Sequence, residues 1–316
     1  MIAARTAVLF ALLGSWALAP GAGAGEPAEC KTVRFADIGW TDITATTSLA
    51  TVVLQGLGYK PSTTIASVPI AFTGLKKRSL DVFLGYWNPS MIPIIDPFLK
   101  EKALEVLPTP NLSGAKYTLA VPTLVADAGL KSFADIARFR TELDGKIYGI
   151  EPGNDGNALI QKMIAANQFG LGGFRLVESS EAGMLIEVQR AVDRHKFIVF
   201  LGWEPHPMNE RFKMTYLSGG DTVFGPNYGG AAVYTAVANG YLARCPNVGA
   251  LIRNLKFGLT MESQVMGPIL QKRDPVASAS EWLKANPAVL GDWLKGVQTF
   301  DGKDGSGAVR AYLGLH

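Results

Sequence analysis

The sequence has little excess of charge of either sign and no long run of one charge. It carries 30 Lys and Arg against 27 Asp and Glu, a formal net charge of +3 over 316 residues. A protein that binds nucleic acid concentrates positive charge on one face. The one short basic run, at 76–78, is typical of a solvated helix end. We therefore exclude nucleic acid as a partner.

Catalytic and metal-binding motifs are also missing. His195, His206 and His316 are too scattered for a metal site, and a His-Glu-x-x-His motif is absent. There is no Gly-x-Ser-x-Gly elbow, and Gly302-Lys303 is followed by aspartate where a phosphate loop has Ser or Thr. We predict no metal, no cofactor and no catalytic residue, which favours binding over catalysis. For His206, between two prolines, we predict a structural or orienting role.

A hydrophobic run long enough to span a membrane is absent as well. The candidate run, Ala7–Ala19, is short, follows Arg5 and leads into small residues. This is the pattern of a secretory signal peptide, which we predict over residues 1–24 with cleavage after Ala24. The mature chain, 25–316, is expected to be soluble in the periplasm and is long enough for two domains.

Only two cysteines are present, Cys30 and Cys245, so one intramolecular pairing is possible. In an oxidising compartment the pair is predicted to form a disulfide. Such a bond would hold the first and last segments of the mature chain in one lobe. The alternative is two unpaired buried thiols.

What the sequence does contain is a regular alternation of strand and helix patterns. This alternation predicts an α/β fold with parallel strand pairing. The pattern changes twice, which predicts two lobes joined by two crossover hinges. Lobe I is expected to comprise 25–112 and 217–316, and lobe II 113–216. Met91–Leu99 contains two prolines and is predicted to be irregular.

Two of the strand patterns end in the same way. DVFLGYWNPS (81–90) and FIVFLGWEPHP (197–207) are apolar runs that stop at a tryptophan shortly before a proline. In open α/β sheets the carboxyl ends of strands border the crevice where ligands bind. Each ring taken alone is more often a packed core residue. Four aromatic residues at strand-to-loop junctions are nevertheless predicted to line the cleft: Trp40, Trp87, Tyr117 and Trp203.

An aromatic set of this kind suits a cation that has no hydrogen-bond donors, because ring faces attract positive charge. Asp42 and Asp155 are close to predicted helix starts, where a carboxylate offsets the positive end of the helix dipole. Asn154, beside Asp155, is a candidate for binding a ligand hydroxyl. Each of the three is also a candidate helix cap, and for Asp42 taken alone the cap is the better reading.

These residues occur in a characteristic order. Trp87-Asn-Pro, Tyr117, Gly153-Asn-Asp-Gly and Gly202-Trp-Glu-Pro-His-Pro follow one another behind the signal peptide. In this order, and over essentially the whole mature chain, the sequence resembles the choline- and glycine-betaine-binding proteins of ABC importers, particularly the periplasmic choline-binding branch. The resemblance implies a two-lobed type II periplasmic binding protein that closes around a ligand in the inter-lobe cleft.

The resemblance also implies roles for single residues. Asp42 would complement an ammonium group, and Asn154 and Asp155 would bind a hydroxyl. Cys30 and Cys245 match the disulfide of that branch, whereas Glu204 and His206 receive no role. The implied aromatic box consists of Trp40, Trp87, Tyr117 and Trp203.

Choline fits the predicted site better than glycine betaine does. A betaine carboxylate needs Arg, Lys, His or several backbone amides, and no Arg or Lys lies beside the aromatic positions. We therefore expect a monomeric choline-binding protein, with weaker binding of acetylcholine or betaine, that delivers choline to an inner-membrane ABC permease. Glycine betaine as the ligand is the main alternative, and an exported choline-ester hydrolase and a polyamine-binding protein stay open.

Overall fold

The computed structural model describes residues 25–315, so the predicted signal peptide, 1–24, lies outside the described residues. Strands and helices alternate along the chain, as the sequence patterns predict. The strands are β1 (Thr32–Asp37), β2 (Lys60–Ile65), β3 (Val82–Asn88), β4 (Leu104–Val106), β5 (Leu112–Pro122), β6 (Lys146–Tyr148), β7 (Arg175–Val177), β8 (Phe200–Glu204), β9 (Met214–Tyr216) and β10 (Gly230–Ala238).

Helices connect and cover the strands. The α-helices are α1 (Thr41–Gly56), α2 (Val68–Lys76), α3 (Ile92–Lys100), α4 (Thr123–Asp127), α5 (Asp155–Ala165), α6 (Glu181–Asp193), α7 (Met208–Arg211), α8 (Asp221–Phe224), α9 (Pro226–Gly229), α10 (Tyr241–Arg244), α11 (Pro246–Asn254), α12 (Leu259–Leu270), α13 (Pro275–Ala285), α14 (Val289–Trp293) and α15 (Gly305–Leu313). The 3-10 helices are Ala28–Lys31, Phe133–Phe139 and Gln168–Gly173. Within residues 25–315, no helix combines the length and the apolar character needed to cross a membrane.

The strands form one sheet in the order β2-β1-β3-β10-β5-β8-β6-β7, with β4 added to β10 and β9 to β5. β1 pairs in parallel with β2 and β3, and β6 pairs in parallel with β7 and β8. The predicted α/β class is thus confirmed, with parallel strands in each half of the sheet. The antiparallel pairs β10–β3, β10–β5 and β5–β8 contradict the predicted parallel pairing, because β5 and β10 carry the chain between the two halves and run in the opposite direction to their neighbours.

β5 and β10 are the strands through which one half of the sheet passes into the other. They run antiparallel, with Gly230 opposite Lys116 and Val233 opposite Leu112, and the register shifts within this short ladder. The chain therefore crosses between the halves twice, through two neighbouring strands. Such a pair of short crossings is the arrangement of a hinge between two lobes.

The segment 217–229 stays with the second half of the sheet. The Phe224 ring lies 6.0 Å from the Tyr117 ring and 5.8 Å from the Phe133 ring, and both partners belong to that half. These contacts favour a second lobe boundary at about Gly230, later in the chain than expected. The lobe ranges themselves stay a prediction.

Cys30 and Cys245 form a disulfide, with Cα atoms 5.6 Å apart. The predicted bond is confirmed, and the alternative of two unpaired thiols is wrong. Cys30 precedes β1 and Cys245 follows α10, so the bond joins the start of the described chain to the segment after β10. The later helices α12, α13 and α15 pack against α1 in the same half.

The segment Met91–Leu99 is helical, so the prediction of an irregular segment is wrong. It forms most of α3, with Pro93 in the first turn. A proline costs no helical hydrogen bond there, because the N–H groups of the first turn have no partner within the helix. Pro97 lies inside the helix and removes only the bond to the Pro93 carbonyl.

Candidate binding site

A small cavity, with about 260 Å³ of empty space, lies between the two halves of the sheet. The lining residues are Trp40, Asp42, Trp87, Tyr117, Ile150, Asn154, Asp155 and Trp203. All seven residues singled out in the sequence therefore surround one space. Sequence reasoning missed Ile150, because no pattern distinguishes it from other apolar residues that follow strands.

Each half of the sheet contributes two of the four rings. Trp40 precedes α1, and Trp87 is close to the end of β3. In the second half, Tyr117 lies on β5 and Trp203 on β8. All four rings are buried. They are held by regular elements and their ends, which fixes the position of each ring within its own half of the sheet.

Tyr117 lies between the two strand-end tryptophans. It stands directly opposite Trp203 in the β5–β8 ladder, and their ring centroids are 6.3 Å apart at an interplanar angle of 81°. The Trp87 ring is 5.9 Å from the Tyr117 ring, at 57°. Rings at these angles form adjoining walls and do not cover one another's faces as parallel stacks do. The arrangement can therefore offer several ring faces to one small cation.

Asn154 is both a helix cap and a site residue. Its Oδ1 accepts the backbone N–H of Asn157 at 3.0 Å, which caps α5, and the Tyr117 hydroxyl at 2.9 Å. Its Nδ2 donates one hydrogen to Asp155 at 3.2 Å. With Oδ1 fully used and one N–H left, Asn154 can donate to a ligand oxygen but cannot accept from one. Gly156 is required beside this network, because a Cβ there would lie 2.1 Å from the Tyr117 hydroxyl.

Two buried carboxylate oxygens at this site, Asp42 Oδ1 and Asp155 Oδ2, have no hydrogen-bond partner among the described residues. The exposed fractions of the two residues are 5% and 2%. Burial raises the pKa of Asp42 to about 7, with a further contribution from the charge of Glu181, and burial raises the pKa of Asp155 to about 6. An unpaired buried carboxylate is costly, and a cation beside it would offset that cost.

Further acidic residues surround Asp42. Glu262 on α12 is buried, and its burial, together with the charge of Asp42, raises its pKa well above the usual range. Burial likewise raises the pKa of Asp37. No lysine or arginine lines the described cavity. The site thus favours a positive ligand. Sequence reasoning missed Glu262, because its place beside Asp42 depends on the packing of α12 against α1.

Trp40 is oriented by a residue from the opposite half of the sheet. Its indole Nε1–H donates to Glu151 Oε1 at 2.7 Å. Glu151 follows β6, so this bond crosses between the halves and fixes the plane of the indole ring. Burial raises the pKa of Glu151 to about 7. In the sequence, Glu151 is only the last residue of a strand pattern before the turn to Asn154. No sequence pattern predicts its hydrogen bond with Trp40.

Comparisons with family models and with solved structures point to the same protein family. The model of the family OpuAC, described as the substrate binding domain of the ABC-type glycine betaine transport system, matches residues 31–285. A solved ABC-transporter choline-binding protein in complex with choline is 56% identical, with a TM-score of 0.89 over 91% of this chain and 100% of that chain. The unliganded, semi-closed form of an ABC-transporter choline-binding protein gives 56% identity over the same shares, with a TM-score of 0.83.

A third structure shares the fold at lower identity. Lactococcal OpuAC, in its closed-liganded conformation with glycine betaine, is 24% identical, with a TM-score of 0.74 over 83% of this chain and 98% of that chain. These likenesses confirm the two-lobed substrate-binding fold expected from the sequence. Since the family model covers well over half of the sequence, the chain belongs to the family of substrate-binding domains of the ABC-type glycine betaine transport system.

Proposed function

We propose that this protein captures choline in the aromatic cavity and delivers it to an ABC permease in the inner membrane. The observation that carries the proposal is a pair of carboxylate oxygens, on Asp42 and Asp155, that have no partner in the described part of the chain and lie within a box of four aromatic rings. The 56% identity to a binding protein solved with choline supports the same ligand. Export to the periplasm, with removal of residues 1–24, and action as a monomer belong to the same proposal.

The trimethylammonium group of choline matches the rings and Asp42. It carries a positive charge but no N–H, so it gains little from directed acceptors and much from ring faces. Each face contributes ~0.5 to 2 kcal/mol. Four faces then supply several kcal/mol, where ~8 kcal/mol corresponds to micromolar binding. Asp42 adds a counter-charge where water is largely excluded and the attraction is stronger than in bulk solvent.

The hydroxyl of choline matches Asn154 and Asp155. Within the described part of the chain, Asn154 Nδ2 has one N–H left to donate and Asp155 Oδ2 has no donor. A hydroxyl accepts from the first and donates to the second at the same time. An ester or ether oxygen accepts only and would leave Asp155 unpaired. Acetylcholine is therefore expected to bind more weakly than choline.

Two alternatives are less well supported by the cavity. Glycine betaine would bring a carboxylate towards Asp155, and the eight lining residues of the described cavity include no Arg, Lys or His to receive it. The same lining contains no Ser or Cys beside a base, the pair that an exported choline-ester hydrolase would use. Binding of a quaternary ammonium alcohol is the function that this set of side chains supports best.

Titration calorimetry on refolded, ligand-free protein tests the ligand. We expect choline to bind at least tenfold more tightly than glycine betaine, because only choline lacks the carboxylate that Asp155 repels. Putrescine serves as the control for a cation with N–H donors and is expected to bind weakly or not at all. Tighter binding of betaine than of choline would refute the assignment.

Small-angle scattering tests closure around the ligand. The lining residues come from both halves of the sheet, so they surround a ligand only when the lobes approach each other. Saturating choline is therefore expected to reduce the radius of gyration of the ligand-free protein. Putrescine at the same concentration should leave it unchanged. Equal radii with and without choline would contradict a closing hinge.

A further inference from the structure

Glu181 is a buried carboxylate that the proposed binding of choline does not use. It is the first residue of α6, its exposed fraction is 5%, and it does not line the cavity. Burial acts to raise its pKa, but hydrogen bonds from His206 and Thr41 outweigh burial, so the pKa of Glu181 lies below its usual value. Three donors therefore offset the cost of burying this ionised carboxylate.

The donors to Glu181 come from both halves of the sheet. The Thr41 backbone N–H donates to Oε2 at 2.8 Å, and the Thr41 hydroxyl donates to Oε1. His206 Nε2 lies 3.1 Å from the same Oε1. The backbone N–H of Met208 donates to His206 Nδ1 at 2.9 Å, which leaves the ring proton on Nε2 to donate to Glu181.

The bond to Thr41 caps a helix across the cleft. Thr41 is the first residue of α1, and Trp40, in the N-cap position, makes no side-chain capping bond. The carboxylate that satisfies the free N–H of Thr41 belongs instead to the opposite half. Glu181 also starts α6, so its negative charge lies at the positive ends of two helix dipoles only while the halves are together.

These contacts connect directly to the aromatic box. Thr41 stands between Trp40 and Asp42 in the sequence, and both neighbours line the cavity. On the other side, the His206 ring packs against the Trp203 ring, with centroids 4.9 Å apart at 66°. Contacts that hold Thr41 and His206 therefore also hold both walls of the box.

We propose that Thr41, Glu181 and His206 form a cross-lobe latch, which is made as the lobes close and holds choline by slowing its release. The inference rests on choline as the ligand and adds positioning residues that do not touch it. In the open protein Thr41 and Glu181 are apart and hydrated, so the latch does not affect the first encounter with choline. It lowers the rate of reopening.

Stopped-flow tryptophan fluorescence with choline separates the two rates. Thr41→Val keeps the side-chain shape and removes the hydroxyl donor. We expect its release rate to rise roughly tenfold, the order expected for one hydrogen bond to a charged acceptor, while its association rate stays within about twofold of wild type. Thr41→Ser restores the hydroxyl and is expected to restore slow release.

Glu181→Gln tests the acceptor itself, because the amide offers one oxygen where the carboxylate offers two. It is expected to speed release by at least as much as Thr41→Val. In the double variant the two effects should be far from additive, since both changes remove the same bonds. Glu187→Gln removes a charge from the exposed face of the same helix and is the matched control, with an unchanged release rate.

The outcomes separate the latch from the ligand assignment. If wild-type protein shows no choline binding, the proposed function fails. If wild-type protein binds choline but Thr41→Val and Glu181→Gln release it at the wild-type rate, the latch is wrong and the ligand stands. The latch would also be wrong if either variant slowed choline association by as much as it speeded release. Additive effects on the release rate in the double variant would contradict it as well. Thermal unfolding of each ligand-free variant confirms that the protein measured is folded.

Discussion

Truncation of either strand-end tryptophan, Trp87→Ala or Trp203→Ala, is expected to weaken choline binding by roughly 10- to 100-fold. Each change removes one ring face, which contributes up to ~2 kcal/mol where water is excluded, and also the apolar contact of an indole with the methyl groups. A loss of about 1.4 kcal/mol corresponds to tenfold in affinity. Titration calorimetry at fixed pH and salt gives the affinities directly.

The phenylalanine variants of the same positions sharpen this test. Trp87→Phe and Trp203→Phe retain a smaller ring face and are expected to lose less affinity than the alanine variants. Trp282→Ala is the matched control, because Trp282 lies on α13, donates to Gln264 and does not line the cavity. Wild-type affinity in both alanine variants, or an equal loss in Trp282→Ala, would remove the aromatic box from the binding mechanism.

Choline affinity is expected to fall by roughly tenfold or more as the pH is lowered from about 7.5 to 5.5. In the closed cavity without a ligand, burial raises the pKa of Asp42 to about 7 and that of Asp155 to about 6. A bound cation favours the ionised form of both and lowers both pKa values in the complex. Below pH 7, choline must therefore displace protons to bind, which costs affinity in proportion to the protons released. Above pH 7.5 the carboxylates are already ionised and the affinity levels off.

Calorimetry at several pH values, in buffers of different ionisation enthalpy, counts these protons. Asp42→Asn is expected to weaken binding at pH 7.5 by roughly 10- to 100-fold and to remove much of the pH dependence. Glu262, Glu181 and Asp37 face Asp42 from other elements and stay in place in this variant. The control is Asp301→Asn, an exposed carboxylate paired with Lys303 outside the cavity. A flat profile in the wild-type protein would exclude Asp42 and Asp155 as the groups that bind the cation.

Sequence reasoning identified the rings and polar groups of the cavity because their positions follow from local rules. An apolar run becomes a buried strand, and the residue at its end is placed at the edge of the sheet, as for Trp87 and Trp203. Asp42 and Asn154 follow from helix starts in the same way. Asn154 caps α5 as predicted, but the prediction of a cap is wrong for Asp42, because Trp40 occupies the N-cap position of α1 and Asp42 lies in the first turn. Where the local rule was incomplete, as for the two prolines of α3, the prediction was wrong.

The remaining features depend on residues that are distant in the sequence. Glu262 approaches Asp42 only because α12 packs against α1, and Glu151 reaches Trp40 only across the cleft. No periodicity or spacing marks either pair. The bonds that link Glu181 to Thr41 and His206 likewise join three separate parts of the chain, so no sequence pattern predicts that these three polar residues are in contact.

By itself, the sequence determined which residues end strands, which begin helices and which carry the chemistry of a cation site, because hydrophobic runs, prolines and capping residues act over a few positions. Only the tertiary structure decided that β10 lies antiparallel between β3 and β5, that two carboxylate oxygens are left without partners among residues 25–315, and that Glu181 caps a helix of the opposite half. Those facts arise from the burial of apolar surface and the pairing of polar groups between segments far apart in the chain, which local patterns do not encode.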